Sequence, residues 1–260
     1  MKYYIVDAFT DALFKGNPAG VCVLDRELDD QTMQDIAAEN NLSETAFVLK
    51  KDGQYGLRWF TPKIEVDLCG HATLASAYVV TNFVDPGLTT IGFDTKSGIL
   101  TVDRDGDLYT LDFPSRKPEK IDVTPLMEEA IGVPISEAHL FTKYLLLLLD
   151  DAQKIERVAP DFEKVKQITK HGAIVTAKSD GAPVDFVSRY FAPAGGVNED
   201  PVTGASHTLL IPFWSERLGK ERMVARQLSK RGGTLYVQLA GDRVKIGGHA
   251  ALYLKGELML

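Results

Sequence analysis

DLCGHATLASAYVV, residues 67–80, leads from Asp-Leu-Cys into a glycine and then into a stretch with helical spacing and almost no polar face. Gly70 opens a helix predicted to run to about Phe83, carrying Ala72, Leu74, Ala75, Ala77, Tyr78, Val79 and Val80. A helix that is apolar nearly all round is buried on all sides rather than laid on a surface. Something must therefore wrap it, and its flanks read as strands. Before it come Lys2–Ala8, Val21–Leu24, Thr45–Leu49 and Gln54–Thr61; after it come Gly98–Val102 and Leu108–Phe113, joined by the hairpin signal Asp105-Gly106. Asp30–Asn40 reads as a second helix, with Met33, Ile36 and Ala37 on one face and Asn40-Asn41 as its stop.

The order then repeats. Lys143–Leu149 reads as a buried strand, Asp161–Thr169 as a helix, Ala173–Ala177 and Val184–Ala192 as strands, and Gly204 opens a helix to about Leu218, followed by two more strands. Pro212 within that helix is expected to kink it or limit its first turns. Residues match as well as elements. Arg58-Trp59-Phe60-Thr61-Pro62 corresponds to Arg189-Tyr190-Phe191-Ala192-Pro193, Gly70 to Gly204, and Ser97–Tyr109 to Gly232–Val244. Shared turn chemistry explains one such match among hairpins; three in order point to two homologous halves, divided at about 116/117 into residues 1–116 and 117–260. A crevice between such halves is a common place for a ligand.

Composition narrows the function. The chain of 260 residues carries a net charge of −7, which argues against nucleic acid as the main partner because phosphate binding needs a basic face. Its two cysteines, Cys22 and Cys69, form no C-x-x-C, so neither a disulfide framework nor a structural zinc site is expected and a reducing, cytoplasmic setting fits. The start, MKYYIVDAFT, has no apolar run of signal-peptide length, and Tyr144–Leu149 is too short to span a bilayer. There is no H-E-x-x-H, no H-x-H, no close Cys/His cluster and no phosphate loop, so no metal and no cofactor is expected. What remains is proton chemistry by carboxylates and histidine.

Both buried helices open on glycine at corresponding positions, DLCGH in one half and DPVTGASH in the other. A helix N-terminus presents unpaired N–H groups and partial positive charge, suited to a carboxylate or a developing oxyanion. Each mouth alone is more simply a tight turn; the pair makes a small anionic substrate the better reading. His71, Glu199 and Asp200 stand beside these mouths, and Glu44 lies where a helix gives way to a strand, a position that alone suits a solvated turn residue. His207, inside a buried helix, reads as a core histidine.

VDAFTDALFKGNPAG (Val6–Gly20), NLSETAFV (Asn41–Val48), RWFTPKIEVDLCGHATLA (Arg58–Ala75) and NEDPVTGASHTLL (Asn198–Leu210) together resemble the PhzF-like, phenazine-biosynthesis-like proteins, over essentially the whole chain. The resemblance implies an α+β, diaminopimelate epimerase-like fold: two pseudo-symmetric halves, each a β-barrel-like sheet around a central helix, with the active site in the cleft and a homodimer as the assembly. It implies a cofactor-independent isomerase resembling trans-2,3-dihydro-3-hydroxyanthranilate isomerase, in which the catalytic glutamate matches Glu44 and the cleft histidine and aspartate match His71 and Asp200. Gly70, Gly204, Ala205, Ser206 and Asn17 make up the implied substrate-binding set. The family often reads G-S-A-H after D-P-V-T; here Ala205 stands at the serine position and Ser206 one step on, rotated by roughly 100°. Related epimerases use two opposed cysteines. Here Cys69 has Thr203 as its counterpart, which removes that mechanism and leaves Cys69 as a small apolar filler. A cofactor-independent epimerase, and a non-catalytic small-molecule binding protein, are the alternatives.

Overall fold

The computed structural model describes residues 1–260, which form two units: Met1–Asp112 with Lys245–Leu260, and Phe113–Val244. The first unit contains β1 (Lys2–Ala8), β2 (Asn17–Leu24), α1 (Asp30–Asn40), β3 (Glu44–Lys51), β4 (Gln54–Phe60), the short β5 (Glu65–Val66), α2 (Gly70–Val79), β6 (Thr90–Thr95), β7 (Gly98–Asp105) and most of β8 (Leu108–Pro114). β1 pairs antiparallel with β2, β2 parallel with β3, and β3 antiparallel with β4. β4 then runs parallel to β6, and β6, β7 and β8 continue antiparallel. The chain's last strand, Ala250–Glu257, completes this unit by pairing antiparallel with β1.

α2 is the centre of the unit, as its composition predicts. Eight of its ten residues are buried, and it packs against β1, β2, β3, β7 and the last strand, so the sheet wraps it. Its few hydroxyls are satisfied inside the helix: Thr73 donates to the Cys69 carbonyl and Ser76 to that of Ala72, each one turn back. The α-helix is shorter than its apolar pattern, which predicts a helix to Phe83. From Val80 to Val84 the chain forms a π-helical turn, closed by Asp85 N–H donating to the Val80 carbonyl at 2.8 Å. Thr81 Oγ1 and Asn82 Nδ2 bond the carbonyls of Ala77 and Tyr78, which widens the turn.

α1 has the predicted bounds. Asp29 caps it by accepting from Thr32 N–H, and Asn41, left-handed at φ 49°, stops it. β2 is longer than predicted, because the GNPAG segment is itself strand from Asn17 onward. Gly16, just before it, has φ +62°, and a Cβ there would lie 2.1 Å from the Ala8 carbonyl oxygen. Since that obstacle is backbone, we predict that Gly16→Ala destabilises the protein by more than the roughly 1–2 kcal/mol of the left-handed conformation alone. Urea denaturation checks this, and an unchanged midpoint would refute it.

The second unit repeats the plan. It holds β9 (Glu119–Ile121), α3 (Pro125–Ile131), β10 (Glu137–Phe141), β11 (Tyr144–Leu148), α4 (Ala152–Arg157), α5 (Phe162–Ile168), β12 (Gly172–Lys178), β13 (Phe186–Phe191), α6 (Gly204–Leu218), β14 (Arg222–Gln227) and β15 (Gly233–Ala240). Its pairings are antiparallel for β9–β10 and β10–β11, parallel for β11–β12, antiparallel for β12–β13, parallel for β13–β14 and antiparallel for β14–β15. That is the first unit's sequence of pairings beginning at the last strand. β16 (Arg243–Gly248) carries the chain back into the first unit. Leu145 and Leu147 of β11, with Leu149 just beyond it, are buried with Val175, Ile155 and Phe191, as a buried strand should be. α3 escaped the sequence reading although its signals are ordinary: Thr124 as cap, Pro125 at the first position, and Gly132 as a left-handed stop.

The repeat extends to side chains. Arg58 grips Glu65 through Nε and a terminal nitrogen at 2.7 and 2.8 Å and lies over the Phe60 ring; Arg189 grips Glu199 at 2.6 and 3.1 Å and lies over the Phe191 ring. The Arg58 guanidinium holds the Glu65 carboxyl down at about 2, against 4.5 when free. A depressed carboxylate stabilises the fold fully above 4.5, and this contribution is lost as pH falls toward 2. Acid unfolding of Glu65→Gln is therefore expected to depend less on pH below 4.5 than that of the wild type.

Pro212 does not break α6, which runs from Gly204 to Leu218 with eleven of its residues buried. Proline has no N–H to offer the carbonyl of Thr208 one turn back, and that carbonyl instead accepts from Arg116 N–H at 3.0 Å. No helix of the chain is long and apolar enough to cross a membrane.

Candidate active site

Three elements of the first unit meet at one histidine. β3 begins with Glu44, β2 begins with Asn17, and α2 begins with Gly70-His71 after Cys69, whose extended backbone (φ −144°, ψ 112°) turns the chain into the helix. His71 Nε2 lies 3.2 Å from Glu44 Oε2. This is a charge contact and not an aligned hydrogen bond, and Nε2 has no hydrogen-bond partner. On the other side of the ring, Nδ1 lies 3.3 Å from Asn17 Nδ2 and 3.5 Å from Cys69 Sγ. Asn17 is fully buried, and His71 and Cys69 are only 5% and 6% exposed. The Glu44 side chain keeps 20% of its surface and is the group of the four that solvent reaches most easily.

The chemistry follows from those contacts. When the ring is neutral and Nδ1 accepts from the Asn17 amide N–H, its proton is on Nε2, facing Glu44. Burial disfavours charge on the ring, but Cys69 and Glu44 outweigh it and raise the imidazole well above its ordinary range. Of the two, Glu44 is the effective cause. The Cys69 thiol is itself pushed up by burial and by Glu44, and so keeps its proton. The arrangement is a buried imidazole biased toward its charged form by a carboxylate beside it, with the carboxylate on the open side.

In the second unit, Asp200, Gly204, Ala205 and Ser206 gather at the mouth of α6. Thr203 Oγ1 donates a short hydrogen bond to Asp200 Oδ2. Gln227, fully buried on β14, clamps the turn: its Nε2 donates to the Asp200 carbonyl at 2.8 Å and to Thr203 Oγ1 at 3.2 Å, and its Oε1 accepts from Thr203 N–H at 3.0 Å. Ser206, one step beyond Ala205, is buried and turns its hydroxyl to the Thr203 carbonyl at 2.8 Å. His207 Nδ1 is bonded to the same carbonyl at 2.8 Å, and burial lowers this histidine to about 4, so it is a neutral core residue as its surroundings predict. Glu199 is held by Arg189.

Two sequence expectations need correction. Cys69 is not merely filler, because its sulfur touches His71. The expectation of no close Cys/His cluster also fails, because donor atoms of Glu44, Cys69 and His71 lie within 4.8 Å of one another. The two-residue spacing of Cys69 and His71 was visible in the sequence, but the strand-to-helix turn that brings them together was not. Gln227 was missed because no local pattern marks it.

A sequence model of a family described as phenazine biosynthesis-like protein matches residues 6–256. The chain belongs to this family. Among curated relatives, a protein of Pseudomonas aeruginosa named an uncharacterised isomerase is 51% identical, with 100% of this chain and 99% of the relative covered. Among solved structures, a phenazine biosynthesis PhzF family protein of Enterococcus faecalis aligns with a TM-score of 0.96 at 48% identity over 100% of this chain and 99% of the other. A protein of Agrobacterium radiobacter described as a probable proline racemase shares the fold alone, with a TM-score of 0.64 at 11% identity over 100% of this chain and 93% of the other. The expected α+β, epimerase-like architecture is thus the one this phenazine biosynthesis-like chain adopts.

Proposed function

We propose that this phenazine biosynthesis-like protein is a cofactor-independent isomerase that shifts a proton on a small carboxylate substrate, with Glu44 as the base. The observation that carries the reading is the Glu44 carboxylate beside the buried His71, 3.2 Å away, on the accessible side of the ring. Three curated relatives named isomerases, 45–51% identical over nearly their whole length, support the same class.

In this mechanism Glu44 takes a proton from a carbon next to an unsaturated or carbonyl group and returns it to another carbon. His71 offers Nε2–H to the carboxylate, steadying its charge before transfer and its orientation afterwards. Asn17 and Cys69 hold the ring from behind. N–H groups at Gly70 and His71, the first turn of α2, suit the substrate's carboxylate or the charge that develops on it. For the second unit we propose that Asp200 and the N–H groups of Gly204 and Ala205 contact substrate, while Ser206 does not, its hydroxyl being committed to Thr203. The homodimer implied by resemblance belongs to the same proposal.

The test is exchange of carbon-bound hydrogen in heavy water, followed by proton NMR, with trans-2,3-dihydro-3-hydroxyanthranilate and a panel of small unsaturated carboxylic acids. Deuterium at a new carbon with a shifted double bond supports the isomerase. Deuterium at an inverted stereocentre, with the skeleton unchanged, replaces it by the epimerase alternative. No exchange across the panel leaves the binding-protein alternative.

A further inference from the structure

The cluster around His71 has a second chemical property that proton transfer does not use. It brings together one thiol, one imidazole and one carboxylate, from Cys69, His71 and Glu44, with donor atoms no more than 4.8 Å apart. We propose that these three side chains form a binding site for a thiophilic divalent cation, zinc foremost, and that its occupancy switches the enzyme off. The switching rests on the isomerase reading; the binding does not.

Geometry supports the site. Zinc takes sulfur at about 2.3 Å and nitrogen or oxygen at about 2.0–2.2 Å in a tetrahedron, so its donors stand roughly 3.3–3.6 Å apart. Cys69 Sγ is 3.5 Å from His71 Nδ1 and Glu44 Oε2 is 3.2 Å from His71 Nε2. The two contacts use different ring nitrogens, so binding needs a turn of the ring or a rotation of the Glu44 side chain that brings all three donors to one point. Glu44 is the member with room for it, being the least buried.

Charge supports it too. A thiolate and a carboxylate together balance a divalent cation, so the filled site is neutral where a net charge would be costly. The positive end of α2 opposes a cation by itself, but it favours the thiolate that the cation requires. His71 Nε2 is buried without an aligned hydrogen-bond partner, and a metal ion can take that place once the proton on Nε2 and the proton of the Cys69 thiol have been released to solvent on binding. Three protein ligands leave a fourth position for water or a substrate carboxylate, on the Glu44 side. Because the bound ion occupies the carboxylate that acts as base, binding and proton abstraction exclude each other.

The chain's two cysteines make the test unambiguous. Tag-free protein, without substrate, is titrated with cobalt(II), whose thiolate complexes absorb in the near ultraviolet. One cobalt per chain with a thiolate band is expected for the wild type and for Cys22→Ala. Cys22 lies fully buried in a different cluster, beside Phe47 and Met33. Cys69→Ser is expected to lose the band and to weaken zinc binding by calorimetry at least about 100-fold, beyond the 10–100-fold cost of disturbing an outer partner. Glu44→Gln, which keeps the thiol, is expected to weaken binding while retaining the band at saturating cobalt. No band in the folded wild type, or a band that survives Cys69→Ser, overturns the site. If the band appears as expected but zinc leaves hydrogen exchange unchanged, the site stands and the switching is overturned. If no substrate exchanges at all, the cobalt result still decides the site.

Discussion

Glu44→Gln is expected to lower the rate of substrate hydrogen exchange by about 10²–10⁴-fold, the range that one positioned acid–base group supplies. Glutamine has the shape of glutamate and keeps a carbonyl oxygen to face His71 Nε2, so little changes except the ability to take a proton. The fold should not suffer. Glu44 sits at the first position of β3, and neither α1 nor the β2–β3 register from Ala19 to Leu24 depends on its charge. The substitution removes the negative partner that raises His71, so the imidazole should titrate nearer its ordinary range, a shift readable by NMR on the resting protein. A loss of exchange together with that shift identifies Glu44 as the base. Exchange within tenfold of the wild type would sink the assignment, whatever the substrate proves to be.

The second large effect concerns stability and comes from the other unit. Between pH 6.5 and 4 the protein is expected to lose roughly 3 kcal/mol of stability through His207 alone. This histidine is fully buried in α6, bonded through Nδ1 to the Thr203 carbonyl, and held down to about 4 chiefly by burial, against 6.5 when free. The sign follows from proton counting. In that window the unfolded chain binds a proton at residue 207 and the folded chain does not, so acid favours unfolding; above 6.5 the contribution is fully present. Denaturant titrations at a series of pH values measure it. His207→Asn keeps a donor for Thr203 but cannot titrate, and its stability should be lower at neutral pH yet flatter across the window. A variant with the wild-type slope would show that another group carries the acid sensitivity. Glu65 acts only below 4.5, so the two contributions separate along the pH axis.

Much of the fold was legible locally because its signals are local. The bounds of α1 follow from an aspartate cap and an asparagine able to turn left-handed. The burial of α2 and α6 follows from the absence of a polar face, and the two matching Arg-x-Phe strands announce the repeat that their Glu65 and Glu199 partners complete. The Glu44–His71 pairing was legible through the motifs that carry the family resemblance, and Asp200 is proposed on the same ground. The working geometry was not legible, since a spacing in the chain says nothing of which way a ring faces. Cys69 reads as filler until the turn into α2 sets its sulfur against Nδ1, and Gln227 is an ordinary strand residue until it closes on Asp200 and Thr203.

By itself the sequence determined which segments must be buried, where α1, α2, α5 and α6 start, and that the plan occurs twice, because these depend on side-chain periodicity and on the conformational limits of single residues. Only the tertiary structure decided that Ala250–Glu257 joins β1 at the opposite end of the chain, and that the carbonyl freed by Pro212 finds Arg116. It also decided that one thiol, one imidazole and one carboxylate share a space less than 5 Å wide. Those outcomes rest on pairings between residues far apart in the chain, and such pairings are selected by the whole set of competing backbone and packing partners, which no local pattern records.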